Sequence, residues 1–99
     1  MIFKDISVQD FKEKFQDKAL IIDIRDEESY KHSNIINSKN YTSEDIMKLI
    51  ESDDKDKSIV VYCYHGNSSR KVASFLAEYG FKEVCSLIGG FSAWRDSQL

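Results

Sequence analysis

Short apolar runs alternate with amphipathic stretches along this chain, and that alternation restricts the folds open to it. Phe3 to Ile6, Leu20 to Ile24, the pair Ile35-Ile36, Ile59 to Tyr62 and Val84 to Leu87 read as strands. Val8 to Phe15, Glu27 to His32, Ser43 to Ile50 and Phe91 to Arg95 read as helices, as does the stretch opening at Ser68. In Ser43 to Ile50 the inward residues are expected to be Ile46, Met47, Leu49 and Ile50. Apolar strands separated by helices form βαβ units, so the expected class is α/β, with a central parallel sheet covered by helices on both faces. Ninety-nine residues suffice for one core, and residues 1–99 are read as a single domain. The run Glu51-Ser52-Asp53-Asp54-Lys55-Asp56-Lys57 reads as a solvated surface loop.

One βα junction carries chemistry. The apolar run Ser58 to Tyr62 ends at Cys63, and Tyr64-His65-Gly66-Asn67 leads into a helix whose apolar residues Val72, Ala73, Phe75, Leu76 and Tyr79 recur at helical spacing, with Gly80 as its stop. The first turn of a helix has unpaired amides and the positive end of the dipole, so a thiolate or oxyanion is stabilised there. Earlier helices open with acidic residues, at Asp10, Glu27-Glu28 and Glu44-Asp45, but this one opens with Ser68-Ser69-Arg70-Lys71. Each cation opposes the dipole at a cost of about 0.3–1 kcal/mol, which an anion would offset. Cys63 is therefore a candidate nucleophile beside a site awaiting negative charge. In parallel sheets ligands bind beyond the carboxyl ends of strands, which is where Cys63 lies.

Composition narrows the alternatives. Apolar residues make up 41% and charged residues 31%, and the net charge of −3 is spread through mixed signs, so no footprint for nucleic acid or an anionic membrane is present. No apolar run approaches transmembrane length, and Met1 to Asp5 lacks a signal peptide's apolar stretch, so a cytoplasmic protein with reduced cysteines is expected. Cys63, His65, His32 and Cys85 do not have metal-ligand spacing, and no metal or other cofactor is expected. Cys85, between Val84 and Ser86, reads as core packing. His65 either tunes the thiolate or faces solvent, and Tyr64 either walls the pocket or covers its rim.

Three segments in order, Ile22-Asp23-Ile24-Arg25 with Glu28-Ser29-Tyr30, then Val61-Tyr62-Cys63-Tyr64-His65-Gly66-Asn67-Ser68-Ser69, then Ile88-Gly89-Gly90-Phe91 with Ala93-Trp94, resemble the rhodanese family. The likeness runs from about Phe3 to Trp94 and is strongest to the small single-domain thiosulfate sulfurtransferases. It implies one rhodanese-like domain and a double-displacement reaction. The Cys63 thiolate takes the outer sulfur of thiosulfate, sulfite leaves, and the persulfide passes its sulfur to cyanide or to a thiol, a thioredoxin among the candidates. The loop amides, the helix dipole and Arg70 are expected to lower the thiol's pKa, and amides from Tyr64 through Ser69 to ring the sulfur as a nest. Gly66 is expected to take a positive φ. The resemblance thus implies a substrate-binding loop of Tyr64, His65, Gly66, Asn67, Ser68, Ser69 and Arg70. Asp23 and Arg25 are expected to form a buried pair bracing it.

Two readings from other classes stand beside this one. A partner-dependent sulfur carrier or regulatory module of the same fold would also keep Cys63. A cysteine phosphatase or arsenate reductase needs an arginine six positions after the cysteine, but that position is Ser69 and the arginine falls at Arg70. Larger relatives carry Arg and Lys directly after the cysteine to bind thiosulfate. Tyr64 and His65 stand there instead, so weaker binding of thiosulfate is expected. The family's Gly-His-Ile-x-Gly-Ala segment is replaced by Ser33-Asn34-Ile35-Ile36-Asn37-Ser38.

Overall fold

The computed structural model describes residues 2–52 and 54–99. Five parallel strands form one sheet: β1 (Lys4–Ile6), β2 (Leu20–Asp23), β3 (Lys39–Asn40), β4 (Ser58–Tyr62) and β5 (Glu83–Leu87), in the spatial order β1-β5-β4-β2-β3. The most apolar strand, β4, lies at the centre, where both of its faces are buried. Period-two alternation divides its side chains between two cores. Val60 and Tyr62 join Ile21, Cys85 and Leu87 on one face, whereas Ile59 and Val61 join Ile22 and Val84 on the other.

Helices cover both faces. Helix α1 (Val8–Asp10) continues directly into a wider-wound π-helix, Phe11–Phe15, marked by the Gln16 N–H bond to the Phe11 carbonyl at 2.9 Å. Phe11 and Phe15 from this segment, with Phe91 of α5 (Gly90–Ser97), fill the first core. Ile46 and Leu49 of α3 (Ser43–Ile50) and Ala73, Leu76 and Ala77 of α4 (Ser68–Glu78) fill the second. Thr42 and Asp45 form a reciprocal capping box at the start of α3, and Asp26 caps α2 (Glu27–His32). Among the described residues no helix is long and apolar enough to cross a membrane.

Two expectations are corrected. Ile35-Ile36 is a turn, not a strand: Ile35 is a fully buried plug whose N–H donates to the Tyr62 hydroxyl, Ile36 is exposed, and Asn37 turns the chain with φ 67°. The edge strand comes later, at Lys39–Asn40, and is polar. Met47 is half exposed, because it lies about 100° around the helix from Ile46, whereas Leu49 and Ile50 return to the inward side. Of the polar loop from Glu51 to Lys57, Asp53 lies outside the described residues, and Lys57 pairs with Asp54 across 4.0 Å.

Candidate active site

Where β4 stops, alternation carries Cys63 onto the face already holding Ile59 and Val61, the face roofed by α4. The loop turns back at once, and its backbone converges on the sulfur. The Gly66 N–H donates to Cys63 Sγ at 3.1 Å and the Ser69 N–H at 3.4 Å, while Ser69 Oγ lies 3.4 Å from the same atom. Asn67, the residue before α4, makes no side-chain capping bond. The first-turn amide of Ser69 therefore meets the sulfur rather than a cap.

This geometry sets the acidity of the thiol. Burial of Cys63, 8% exposed, opposes ionisation, but the Ser69 hydroxyl and the amides of Ser69, Gly66 and His65 outweigh it, and the thiol lies below its ordinary pKa. Arg70 is not among the groups that lower it. Its Nε pairs with Asp5 Oδ1 at 3.1 Å and its guanidinium lies 5.5 Å over the Phe3 ring. It borders an open depression of about 350 Å³ with Asp5, His65, Gly66, Asn67 and Ile88, which places it on the rim rather than over the thiol.

Two glycines set the backbone. Gly66 has φ 98°, and a Cβ there would stand 2.9 Å from the Gly89 nitrogen. Gly90 has φ 57°, and a Cβ there would stand 2.4 Å from the Cys63 carbonyl oxygen. With that space open, α5 approaches end-on, and the amides of Phe91 and Ser92 bond the carbonyls of Cys63 and Tyr64 at 2.8 and 3.0 Å. The junction is thus fixed from two helices, α4 on the sulfur and α5 on the carbonyls.

Asp23 and Arg25 form the expected buried pair. The two side chains are 0% and 4% exposed, and Asp23 Oδ2 accepts from Arg25 Nε at 3.0 Å and Nη2 at 2.8 Å. Arg25 also donates to the Ser33 carbonyl at 2.6 Å. Its guanidinium lies 4.1 Å from the Phe91 ring centroid, 5.6 Å from that of Tyr62 and 5.9 Å from that of Tyr64. The pair thus reaches the loop through Tyr64, the residue after Cys63, whose ring also packs on His65 at 4.8 Å and edge-on to Phe91 at 6.1 Å. Tyr64, His65, Asn67, Ser68 and Arg70 are exposed, whereas Gly66 and Ser69 are buried.

Two contributions escaped the sequence reading. Phe91 belongs to the first core, yet its face also carries the Arg25 guanidinium. Ser86, on β5, places Oγ 2.8 Å from Ser69 Oγ. A lone hydroxyl in the apolar run Val84 to Leu87 was the available signal, but only pairing of β5 beside β4, with Val61 opposite Ser86, points it at the loop. Cys85, one residue earlier, faces the opposite core, and burial together with the nearby Glu83 charge pushes its thiol up to about 11. Among the described residues no group of His, Cys, Asp and Glu has the arrangement of a metal site.

A family model described as the rhodanese-like domain matches residues 7–97. A thiosulfate sulfurtransferase GlpE of Coxiella burnetii is 43% identical over 96 residues, covering 96% of this chain and 90% of that one. A protein of the same name from Haemophilus influenzae is 41% identical over 99 residues, covering 100% of this chain and 94% of that one. The crystal structure of a rhodanese-related protein from Thermoplasma volcanium superposes with a TM-score of 0.82 at 24% identity, over 96% of this chain and 93% of that one. Sequence and fold agree across nearly the full length, and the chain belongs to the rhodanese-like family.

Proposed function

We propose that this protein is a thiosulfate sulfurtransferase working through a persulfide on Cys63. The observation that carries the reading is the convergence of the Gly66 and Ser69 amides and the Ser69 hydroxyl on one sulfur at the end of the central strand. Relatives named thiosulfate sulfurtransferase, similar over almost the whole chain, support the donor.

In the first half-reaction the Cys63 thiolate attacks the outer sulfur of thiosulfate. A new S–S bond forms, the bond to the sulfonate sulfur breaks, and sulfite leaves with that electron pair. The persulfide anion lies where loop amides already point, so charge is stabilised without a side-chain base. In the second half-reaction cyanide or an acceptor thiolate attacks the terminal sulfur, and the Cys63 thiolate is regenerated. Tyr64 and Ile88 leave exposed apolar surface beside the loop, which suits a thiol carried by a protein such as a thioredoxin-class dithiol. The donor's sulfonate is assigned to the rim at His65, Asn67 and Arg70. The reaction needs no cofactor, nucleic acid or membrane, and the proposed location is the cytoplasm.

Steady-state rates measured against thiosulfate and cyanide together test this reading. Parallel double-reciprocal lines are expected, because sulfite departs before cyanide reacts. Intersecting lines contradict the covalent route. A phosphatase would hydrolyse an aryl phosphate, and no such hydrolysis is expected with Ser69 at the sixth position after Cys63.

A further inference from the structure

Ser69 and Ser86 are both buried, at 0% and 1% exposure, and their hydroxyl oxygens are 2.8 Å apart. Each hydroxyl has one proton to place, and an unplaced proton in a dry interior costs free energy. Ser69 Oγ has two neighbours, Ser86 Oγ and Cys63 Sγ. Among the described residues, Ser86 Oγ has one hydrogen-bond partner, Ser69. The two ways of directing the protons are therefore unequal. If Ser69 donates to Ser86, the Ser86 proton has no acceptor. If Ser86 donates to Ser69, both protons are placed once Cys63 is a thiolate and accepts the Ser69 proton, whereas in the thiol form the sulfur itself donates to Ser69 Oγ.

We propose that Ser86 is a positioning residue for Cys63: its hydroxyl donates to Ser69 Oγ and so commits the Ser69 proton to the cysteine sulfur. This inference rests on Cys63 being the nucleophile. Fold topology supplies the relay, since β5 lies beside β4 in register and Ser86 shares the face of Val84, the one roofed by α4. A chain of two hydroxyls ending on a charged acceptor is polarised along its length, so Ser86 acts on a sulfur it does not touch. Among the described residues the charged and titratable groups around the loop include Tyr64, His65, Arg70, Asp5, Arg95, whose Nη1 lies 3.5 Å from the Tyr64 hydroxyl, and the Asp23–Arg25 pair, and none of these bonds Ser86.

The test reads the pH midpoint of alkylation at Cys63 by peptide mass, with neither donor nor acceptor present. Ser86→Ala is expected to raise the midpoint by about 0.5–1 pH unit, the scale of an indirect bond to a charged group. Ser86→Thr, which keeps the hydroxyl, is expected to restore the wild-type midpoint. In a Ser69→Ala background, removing the Ser86 hydroxyl is expected to move nothing further, because the relay is already cut. Ser86→Cys preserves side-chain volume with a weaker donor and is expected to shift the midpoint in the same direction, which keeps the test open should the alanine variant not fold. An unshifted midpoint in folded Ser86→Ala or Ser86→Cys, or an equal shift with and without Ser69, overturns the proposal. Failure of thiosulfate to load sulfur onto Cys63 would count against the proposed function and leave this midpoint readable.

Discussion

Cys63 and Cys85 make an internal control, two thiols in one small protein, one just past the end of β4 and one inside the adjacent β5. Burial acts on both, disfavouring the charged form. Cys85 sits inside β5 in the core that also holds Val60, Tyr62 and Leu87, and burial reinforced by Glu83 pushes its thiol up to about 11. Cys63 lies one residue beyond β4, where the ladder has ended and loop amides have no strand partner. Those amides and the Ser69 hydroxyl reverse the effect of burial. The difference between a raised and a lowered thiol pKa is thus set by the place where regular pairing stops, rather than by depth in the protein.

The largest expected effect breaks the comparison outright. Cys63→Ser is expected to lower thiocyanate formation at least a thousandfold, while Cys85→Ala stays within about twofold and costs about 1 kcal/mol of stability for its small cavity. Comparable activity losses in both variants would contradict the assignment.

Arg25→Ala is expected to cost about 3–5 kcal/mol, because Asp23 would remain buried and unpaired. Denaturant midpoints measure that loss. The two thiols should also become more alike, since easier global opening exposes Cys85 to alkylation.

A smaller effect follows from proton linkage. Cys85 has its pKa raised in the folded state, so its contribution to stability is present below the unfolded thiol value of about 8.5 and is lost as pH rises through about 11. Cys85→Ala should flatten that alkaline decline in unfolding free energy. Cys63 has the opposite sign: its contribution is present above the unfolded value and is lost as pH falls through its lowered pKa.

The smallest effect concerns the rim. Arg70→Ala is expected to raise KM for thiosulfate about two- to tenfold with little change in kcat, because its exposed guanidinium, paired with Asp5 at the rim, is proposed to meet the donor and makes no contact with the thiol. A changed pH midpoint at Cys63 in that variant would move Arg70 from the rim to the sulfur.

Much of this was legible in the chain. Glu27–His32 and Ser43–Ile50 fall where capping and periodicity put them, because Asp26 and Thr42 cap locally and the apolar residues keep one period. The geometry of the loop around Cys63 was readable for the same reason, its converging amides and its positive-φ glycine lying in consecutive residues. What escaped depends on contacts distant in sequence. Lys39–Asn40 is a strand only because β2 offers an unpaired edge, which no hydrophobic pattern records. Ile35, read as strand, is instead a plug under Tyr62. Arg70 is expected from the sequence to help lower the thiol's pKa, but it pairs instead with Asp5, 65 positions away. Ser86 was passed over because its partner Ser69 is 17 residues earlier and on another element.

Cys63, and not Cys85, is proposed to carry the transferable sulfur. Incubation with thiosulfate, removal of the excess, and peptide masses before and after cyanide test it directly. One sulfur atom is expected on the Cys63 peptide, lost to cyanide as thiocyanate, with the Cys85 peptide unchanged. No gain on Cys63, or a gain on Cys85 alone, would contradict it.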